Sequence, residues 1–229
     1  MTRFIEILLN LFYPKLCAAC GTPLLQQEKY VCTQCLYYLP KTNYHYTDEN
    51  PVEKVFWGRA EINAATAYYF FEKESRFAKI IHQLKYRGNK EIGIEMGKIF
   101  GAELKESSRF NEVDLIIPVP LHWKKLKKRG YNQSEYIASG IAESMGIPID
   151  TKTLYRAVET ETQTRKSRYE RWENVENIFR LRSVDKIAGK HILLIDDVIT
   201  TGATLESCAT TLLKENNTKV SLATLAMVL

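Results

Sequence analysis

Apolar residues follow two spacings that alternate along the chain. Short runs typical of strands occupy residues 64–71, 115–119, 154–157, 191–195 and 220–227. Between them, apolar residues recur at helical spacing in residues 77–84, 92–104, 134–145 and 205–213. Because a crossover helix usually joins neighbouring parallel strands, this alternation predicts an α/β fold with a mostly parallel sheet flanked by helices.

The composition predicts one main domain with a small appendage. A chain of 229 residues, 45% of them apolar, can bury one sizeable core and has room for a smaller module. The composition changes once, near Pro40, so we expect an N-terminal helix and metal module in residues 1–42 and the main domain in residues 43–229. The formal net charge of +5 favours anionic partners without separating phosphates from nucleic acid or lipid headgroups.

The N-terminal segment is apolar but differs from a secretion signal. Glu6 and Asn10 interrupt the apolar residues of the stretch 4–12, and no small-residue cleavage site follows. An amphipathic helix explains this pattern better. No other apolar run approaches the roughly 18 residues that cross a bilayer. The sequence therefore predicts a cytoplasmic protein without a transmembrane segment.

Four of the five cysteines form two C-x-x-C pairs, Cys17 with Cys20 and Cys32 with Cys35. The short segment between the pairs can form a hairpin that brings four thiolates to one point. This spacing predicts a structural zinc ribbon, because four protein ligands leave no position for an activated water. Two disulfides or an iron–sulfur cluster are the alternatives. Cys208 falls on the apolar face of a predicted helix and is expected in the core.

The run from His191 to Thr204 joins an apolar strand to two acids and a turn rich in threonine. The two acids are expected at the carboxyl end of a central parallel strand, where their oxygens can accept hydrogen bonds from the vicinal hydroxyls of a ribose. The turn offers hydroxyls, a glycine and a helix N-terminus, which together favour a bound phosphate. The predicted ligand-binding residues are Asp196, Asp197, Val198, Thr200, Thr201, Gly202, Ala203 and Thr204.

This run resembles the phosphoribosyl pyrophosphate loop of type I phosphoribosyltransferases, in which a hydrophobic strand and two acids precede Thr-Thr-Gly-x-Thr. The resemblance implies that the acids hold the ribose hydroxyls, that the Thr-Gly segment holds the 5-phosphate, and that Mg²⁺ is bound mainly by oxygens of the ligand. An acidic turn capped by threonines is the alternative. Residues 93–99 only imitate a Walker A loop, because they lack its final Ser or Thr and fall in a helical pattern.

Two further segments carry groups that suit pyrophosphate. The loop after the strand at 115–119 contributes Val119, Pro120 and Arg129. A basic stretch within it contains Lys124, Lys125, Lys127 and Lys128, for which a solvated surface is the alternative. The polar stretch 160–177 is predicted to be a flexible loop that closes over the ligand, with an ordinary exposed connection as the alternative. Its predicted site residues are Gln163, Arg168 and Arg171.

Nearly the whole chain resembles the ComF family. The features that carry the resemblance are the two cysteine pairs, the run from Pro118 to Gln133, the stretch 162–177 and the acid–threonine loop. The resemblance implies a role in natural competence, with single-stranded DNA and the competence helicase machinery as partners. The family is often labelled amidophosphoribosyltransferase-like, but the first cysteine here is Cys17 within a knuckle, which does not support glutamine-dependent ammonia transfer.

Three functions are compatible with these features. The first is a phosphoribosyl pyrophosphate-binding protein of natural competence that binds single-stranded DNA through Lys124, Lys125, Lys127, Lys128 and Tyr131. The second is an active phosphoribosyltransferase that transfers the phosphoribosyl group to a base or amine and releases pyrophosphate. The third is a structural adaptor that uses the zinc ribbon for protein contacts.

Overall fold

The computed structural model describes residues 14–157 and 178–228. The amphipathic helix expected in residues 4–12 and the flexible loop expected in residues 160–177 therefore lie outside the described residues.

A four-stranded parallel sheet forms the centre of the molecule. Its strands are β1 (Ala64–Phe71), β2 (Leu115–Pro118), β5 (His191–Ile199) and β6 (Lys219–Val228), in the spatial order β1-β6-β5-β2. A separate antiparallel pair consists of β3 (Leu154–Arg156) and β4 (Phe179–Leu181). The predicted parallel sheet is confirmed. The sequence pattern does not predict β4, because a strand of three residues with arginine at its centre gives no clear periodicity.

Helices cover both faces of the parallel sheet. They are α1 (Thr33–Tyr38), α2 (Pro51–Lys54), α3 (Arg76–Tyr86), α4 (Lys90–Glu106), α5 (Trp123–Arg129), α6 (Gln133–Met145) and α7 (Ala203–Leu212). Single 3₁₀ turns lie at Tyr44–Tyr46 and Val184–Lys186. Helices α3, α4 and α6 pack on one face, and α7 packs on the other together with Phe56. None of the helices in residues 14–157 and 178–228 is long and apolar enough to cross a membrane.

Strand β5 is buried on both faces. Leu193 and Ile195 contact the apolar cluster beneath α3, α4 and α6, whereas Ile192 and Leu194 contact the cluster beneath α7. This alternation explains the continuous apolar run, because successive side chains of a strand point to opposite faces and here both faces are covered. The strand continues past residue 195, its predicted end, because β6 pairs with it as far as Ile199.

Helices α4 and α6 approach each other closely through glycines. A Cβ on Gly97 would lie 2.2 Å from the carbonyl oxygen of Ile137, and a Cβ on Gly140 would lie 2.1 Å from that of Ile94. Any larger residue at either position would push the two helices apart. The glycines of residues 93–99 thus serve helix packing inside α4, which confirms that this run is not a phosphate-binding loop.

Candidate functional site

The acidic pair, Asp196 and Asp197, lies near the carboxyl end of β5. The Ser134 hydroxyl, at the start of α6, donates to Oδ1 of Asp196 over 2.9 Å, and the Asp197 amide donates to the same oxygen over 2.8 Å. Burial, together with the neighbouring charge of Asp197, raises the pKa of Asp196 to about 7. Near neutral pH, Asp196 is therefore present in both protonation states and can accept or donate a hydrogen bond.

Asp197 forms an ion pair with a lysine from another element. Nζ of Lys85, in the last turn of α3, lies 2.8 Å from Oδ2 of Asp197, and the two side chains are 20% and 13% exposed. A pair with so little exposure is only weakly screened by dissolved salt. Helix α3 thus brings a positive charge to the sheet edge at which the acidic pair lies.

Residues 200–204 form the threonine turn, which leads from β5 into α7. Its residues are exposed except for Gly202, which is buried. Gly202 is the N-cap residue of α7 and has a φ of 75°, a left-handed conformation that favours glycine. It has no side chain with which to cap the helix, and the nearest hydroxyl contact is a long one, 3.5 Å from Thr201 Oγ1 to Ala203 N. The first turn of α7 therefore keeps N–H donors for an anion.

The segment before β1 supports the threonine turn from behind. A Cβ on Gly202 would lie 2.7 Å from Cγ1 of Val55, so a side chain at this position would collide with that segment. Arg59 donates to the carbonyl oxygens of Thr201 and Val55, each over 3.0 Å, and forms an ion pair with Glu206 of α7. Both the position of the turn and the start of α7 thus depend on contacts made by this segment.

The loop after β2 is tied to the start of α6, beside the acidic pair. The Asn132 amide group donates to the carbonyl oxygen of Val119 over 2.9 Å. Arg129, the last residue of α5, donates to Oε1 of Gln133 over 2.8 Å. The next residue, Ser134, is the one that contacts the acidic pair. The structure therefore brings Val119 and Arg129 to the region of the acidic pair.

Helix α5, which we call the basic helix, is exposed to solvent and concentrates positive charge. Its exposed lysines are Lys124, Lys125, Lys127 and Lys128. Two apolar side chains are exposed on the same helix, Trp123 by 46% and Leu126 by 42%. An exposed tryptophan can stack on a base while neighbouring ammonium groups neutralise phosphates. The basic helix therefore has the groups that a nonspecific nucleic-acid contact requires.

The four cysteines of the two C-x-x-C pairs converge on one point. Their sulfur atoms all lie within 4.8 Å of one another, and Sγ of Cys20 is 3.8 Å from Sγ of Cys32. Tetrahedral sulfurs about 2.3 Å from one zinc ion are themselves about 3.8 Å apart. All five cysteines are free, so the structure does not contain the disulfides considered as an alternative. The cluster can therefore hold a metal such as zinc.

Comparison with known proteins agrees with this geometry. A family model described as "Phosphoribosyl transferase domain" matches residues 127–228. The DNA utilization protein YhgH of Salmonella typhimurium is 33% identical over 138 residues, 59% of this chain and 60% of that protein. The competence protein ComFC of Bacillus subtilis is 31% identical over 140 residues, 59% of this chain and 52% of that protein. The chain resembles the ComF family.

Each of these two alignments spans less than two thirds of the relative's own length. Among solved structures, an allosteric regulatory enzyme of purine biosynthesis is 22% identical, with 62% of this chain and 29% of that chain covered and a TM-score of 0.44. The chain has the α/β fold of type I phosphoribosyltransferases, with a cysteine module that can bind metal near its N-terminus.

The cysteine module shares a core with the main sheet. Ala18 and Cys35 belong to the same buried cluster as apolar residues of α3 and α4, and the Gln83 amide group of α3 donates to the carbonyl oxygen of Ala18 over 3.2 Å. Burial raises the pKa of Cys35, whereas hydrogen bonds from Thr22 lower the pKa of Cys20 to about 6. A bound dication would offset the cost of the buried thiolate, so the donor set fits a metal.

Tyr131 does not lie on the exposed basic surface that the sequence predicts for it. Its side chain is 6% exposed, its hydroxyl donates to the carbonyl oxygen of Leu84, and its ring packs edge-on against Tyr136. A base cannot stack on a ring enclosed in this way. The structure therefore does not support a stacking role for Tyr131, which instead joins α3 to the start of α6.

The other predicted site residues divide into two groups. Val198 is half-buried in β5 and directly follows Asp197 in the sequence. Pro120 is half-buried in the loop after β2, the strand that pairs with β5. The residues predicted for the flexible loop lie outside the described residues: Gln163, Arg168 and Arg171.

The sequence pattern misses three residues that act on the site from other elements. They are Lys85 and Ser134, which contact the acidic pair, and Arg59, which supports the threonine turn. The capping asparagine Asn132 marks the start of α6 and is a local signal that could have drawn attention to Ser134. No local pattern marks Lys85 or Arg59, because their partners are brought to them only by folding.

Proposed function

We propose that this protein, like the ComF family that it resembles, binds Mg²⁺-phosphoribosyl pyrophosphate at the carboxyl edge of its sheet. The observation that carries this proposal is that a strand buried on both faces delivers Asp196 and Asp197 directly before an exposed turn and a helix N-terminus. The acidic pair would accept hydrogen bonds from the 2- and 3-hydroxyls of the ribose. The threonine turn would hold the 5-phosphate with backbone N–H groups and the hydroxyls of residues 200, 201 and 204.

The pyrophosphate group would lie toward the loop after β2. Val119, Pro120 and Arg129 are the residues that we propose for it, since Arg129 is held beside the start of α6 and its guanidinium suits an anionic oxygen pair. In this proposal Mg²⁺ is bound mainly by oxygens of the ligand. The arginines and glutamine of the predicted flexible loop would complete the pyrophosphate contacts.

Asp197→Asn is expected to weaken Mg²⁺-phosphoribosyl pyrophosphate binding by about 10- to 100-fold, because one charge-assisted hydrogen bond to a ribose hydroxyl, worth about 1.5–3 kcal/mol, becomes neutral or is lost. Isothermal titration calorimetry measures this change. Asp185→Asn is the matched control, since it makes the same change of charge at an exposed position in a 3₁₀ turn. The affinity of this variant for the ligand should stay at the wild-type value. Tighter binding by Asp197→Asn would show that repulsion between the carboxylate and the anionic ligand outweighs the hydrogen bond to the ribose hydroxyl. That result would contradict the proposed site.

The second part of the proposal concerns natural competence and the uptake of single-stranded DNA, with the competence helicase machinery as partner. Two observations support this part. The relatives are named DNA utilization protein and competence protein, and the basic helix is exposed. Trp123 would stack on bases while the four lysines neutralise phosphates, which gives binding with little sequence preference. Tyr131 is left out of this surface because it is buried.

The variant Lys127→Ala with Lys128→Ala is expected to weaken single-stranded DNA binding and to flatten its salt dependence. Removal of two phosphate contacts should reduce the slope of log affinity against log salt by about 1.4. Fluorescence anisotropy of a labelled oligonucleotide at several salt concentrations measures both effects. Lys105→Ala with Lys214→Ala, which removes two exposed lysines elsewhere, should leave the slope unchanged. Binding that does not vary with salt would exclude the basic helix as the DNA contact.

Phosphoribosyl transfer is the second candidate function. The match of residues 127–228 to a phosphoribosyl transferase domain favours it, because that range includes the acidic pair and the threonine turn. The reaction would form a bond from a base or amine nitrogen to the anomeric carbon and release pyrophosphate. Pyrophosphate release measured with candidate bases and amines separates the two functions: ligand binding without release from any acceptor would favour the binding protein.

We also propose that the metal is a structural zinc ion bound by Cys17, Cys20, Cys32 and Cys35. Residues 1–42 would then form the helix and zinc ribbon, and residues 43–229 the phosphoribosyltransferase-like domain. Because thiolate ligands persist in reducing compartments, we place the protein in the cytoplasm within this proposal.

A further inference from the structure

Lys85 occupies a place in the fold that its neighbours fix closely. It lies in the last turn of α3, with its ammonium 2.8 Å from Asp197 and its side chain 20% exposed. The preceding residue, Leu84, is fully buried, and its carbonyl oxygen accepts a hydrogen bond from the Tyr131 hydroxyl. One residue earlier, the Gln83 amide group donates a hydrogen bond to the carbonyl oxygen of Ala18 in the first cysteine knuckle. The backbone that carries Lys85 is therefore held from two directions.

The acidic pair uses only half of its oxygens for contacts with the protein. Within residues 14–157 and 178–228, Asp196 uses Oδ1, which accepts from Ser134 and from the Asp197 amide, and Asp197 uses Oδ2, which accepts from Lys85. One oxygen of each carboxylate therefore remains for a ligand, Oδ2 of Asp196 and Oδ1 of Asp197. Two oxygens on adjacent residues match the two vicinal hydroxyls of a ribose in number.

Two adjacent carboxylates are also an electrostatic obstacle to a polyanionic sugar phosphate. Like charges a few ångströms apart repel each other in a partly buried site, and the 5-phosphate of an approaching ligand adds to this repulsion. An ammonium group that is already paired with one carboxylate lowers the repulsion before the ligand arrives. It also keeps the carboxylate from rotating, which reduces the ordering cost on binding.

We propose that Lys85 is a positioning residue of the ligand site: it holds Asp197 so that Oδ1 faces the ribose hydroxyls, and it neutralises the charge that would otherwise oppose the sugar phosphate. This inference rests on the proposed function and deepens it, because it names the residue that prepares the acidic pair. Lys85 acts through Asp197 and makes no contact with the ligand itself. Its effect should therefore be the same for any ligand that carries the ribose 5-phosphate.

The test is calorimetric titration of two ligands, Mg²⁺-phosphoribosyl pyrophosphate and ribose 5-phosphate, into the full-length protein. Lys85→Gln is expected to weaken both ligands equally, by about tenfold, the effect of one partly buried charge contact. Lys85→Arg, which keeps the charge, should restore affinity to within about threefold of the wild type. Lys79→Gln, at an exposed position of the same helix, is the matched control and should change nothing. Lys85→Met removes the charge with an apolar side chain if Lys85→Gln does not fold.

A double-variant cycle with Asp197→Asn completes the test. If Lys85 acts through Asp197, removal of Lys85 costs about tenfold in the wild-type background and almost nothing in the Asp197→Asn background. An equal loss in both backgrounds, or a greater loss for phosphoribosyl pyrophosphate than for ribose 5-phosphate, overturns the inference and leaves the proposed function in place. Failure of the wild-type protein to bind either ligand overturns both.

Discussion

Gly202→Ala is expected to weaken binding of phosphoribosyl pyrophosphate by more than about 100-fold and to lower the free energy of unfolding by about 2–5 kcal/mol. A left-handed backbone conformation costs about 1–2 kcal/mol for a residue with a Cβ, and Gly202 has a φ of 75°. The new Cβ would also lie 2.7 Å from Cγ1 of Val55 and 3.2 Å from the ring of Phe56. Such overpacking costs about 1–3 kcal/mol, so the two effects together give the expected range.

Binding should fall together with stability because the turn must move to relieve the contact. Movement of the threonine turn away from Val55 displaces the N–H donors at the start of α7, and a displacement of about 1 Å is enough to lose hydrogen bonds to a phosphate. Urea denaturation gives the loss of stability, and calorimetry gives the loss of binding, which should exceed about 100-fold. Both measurements are made on the same purified variant.

Gly189→Ala is the matched control for this prediction. Gly189 also has a positive φ, of 70°, but a Cβ there would meet nothing within 4 Å. Its replacement should therefore cost only the backbone strain of about 1–2 kcal/mol and should leave ligand affinity unchanged. If both glycine variants lost the same amount of stability and both bound the ligand normally, the packing of Gly202 would have no role in the site.

The strands and helices of this fold were predictable because their signals are local. The apolar residues Ile192 to Ile195 indicate a strand buried on both faces without knowledge of what covers it, and the acidic pair and threonine turn follow it in one continuous segment. The order of the residues in this segment therefore predicts the recognition of a sugar and a phosphate. The type of the longer elements and the position of this segment at the sheet edge needed no tertiary information.

The remaining parts of the site depend on contacts that no local pattern encodes. Lys85 and Arg59 reach the acidic pair and the threonine turn from segments far away in the sequence. Tyr131 shows the opposite error: its place after a basic stretch suggests an exposed stacking residue, but its hydroxyl finds a partner on α3 and its ring becomes buried. Sequence spacing alone does not distinguish an aromatic ring that faces solvent from one that joins two helices.

Cys35→Ser is expected to reduce bound zinc from about one ion per chain to none and to lower the free energy of unfolding by about 3 kcal/mol or more, since the binding energy of a structural zinc site is part of the folding energy. The loss should extend beyond the cysteine module, because Cys35 lies in the same buried cluster as Phe77 of α3 and Met96 of α4. Metal analysis by atomic emission and thermal unfolding with and without a chelator measure the two effects.

Cys208→Ala separates loss of the metal from loss of a buried thiol. Cys208 is fully buried between α7 and the opposite face of the sheet, away from the cysteine cluster, so its replacement should cost about 1–2 kcal/mol of packing and leave zinc content unchanged. Because Gln83 joins the first knuckle to the helix that carries Lys85, loss of zinc should also weaken binding at the acidic pair, whereas Cys208→Ala should not. A Cys35→Ser protein that kept its metal, or that lost it without any change in unfolding, would contradict a structural zinc site.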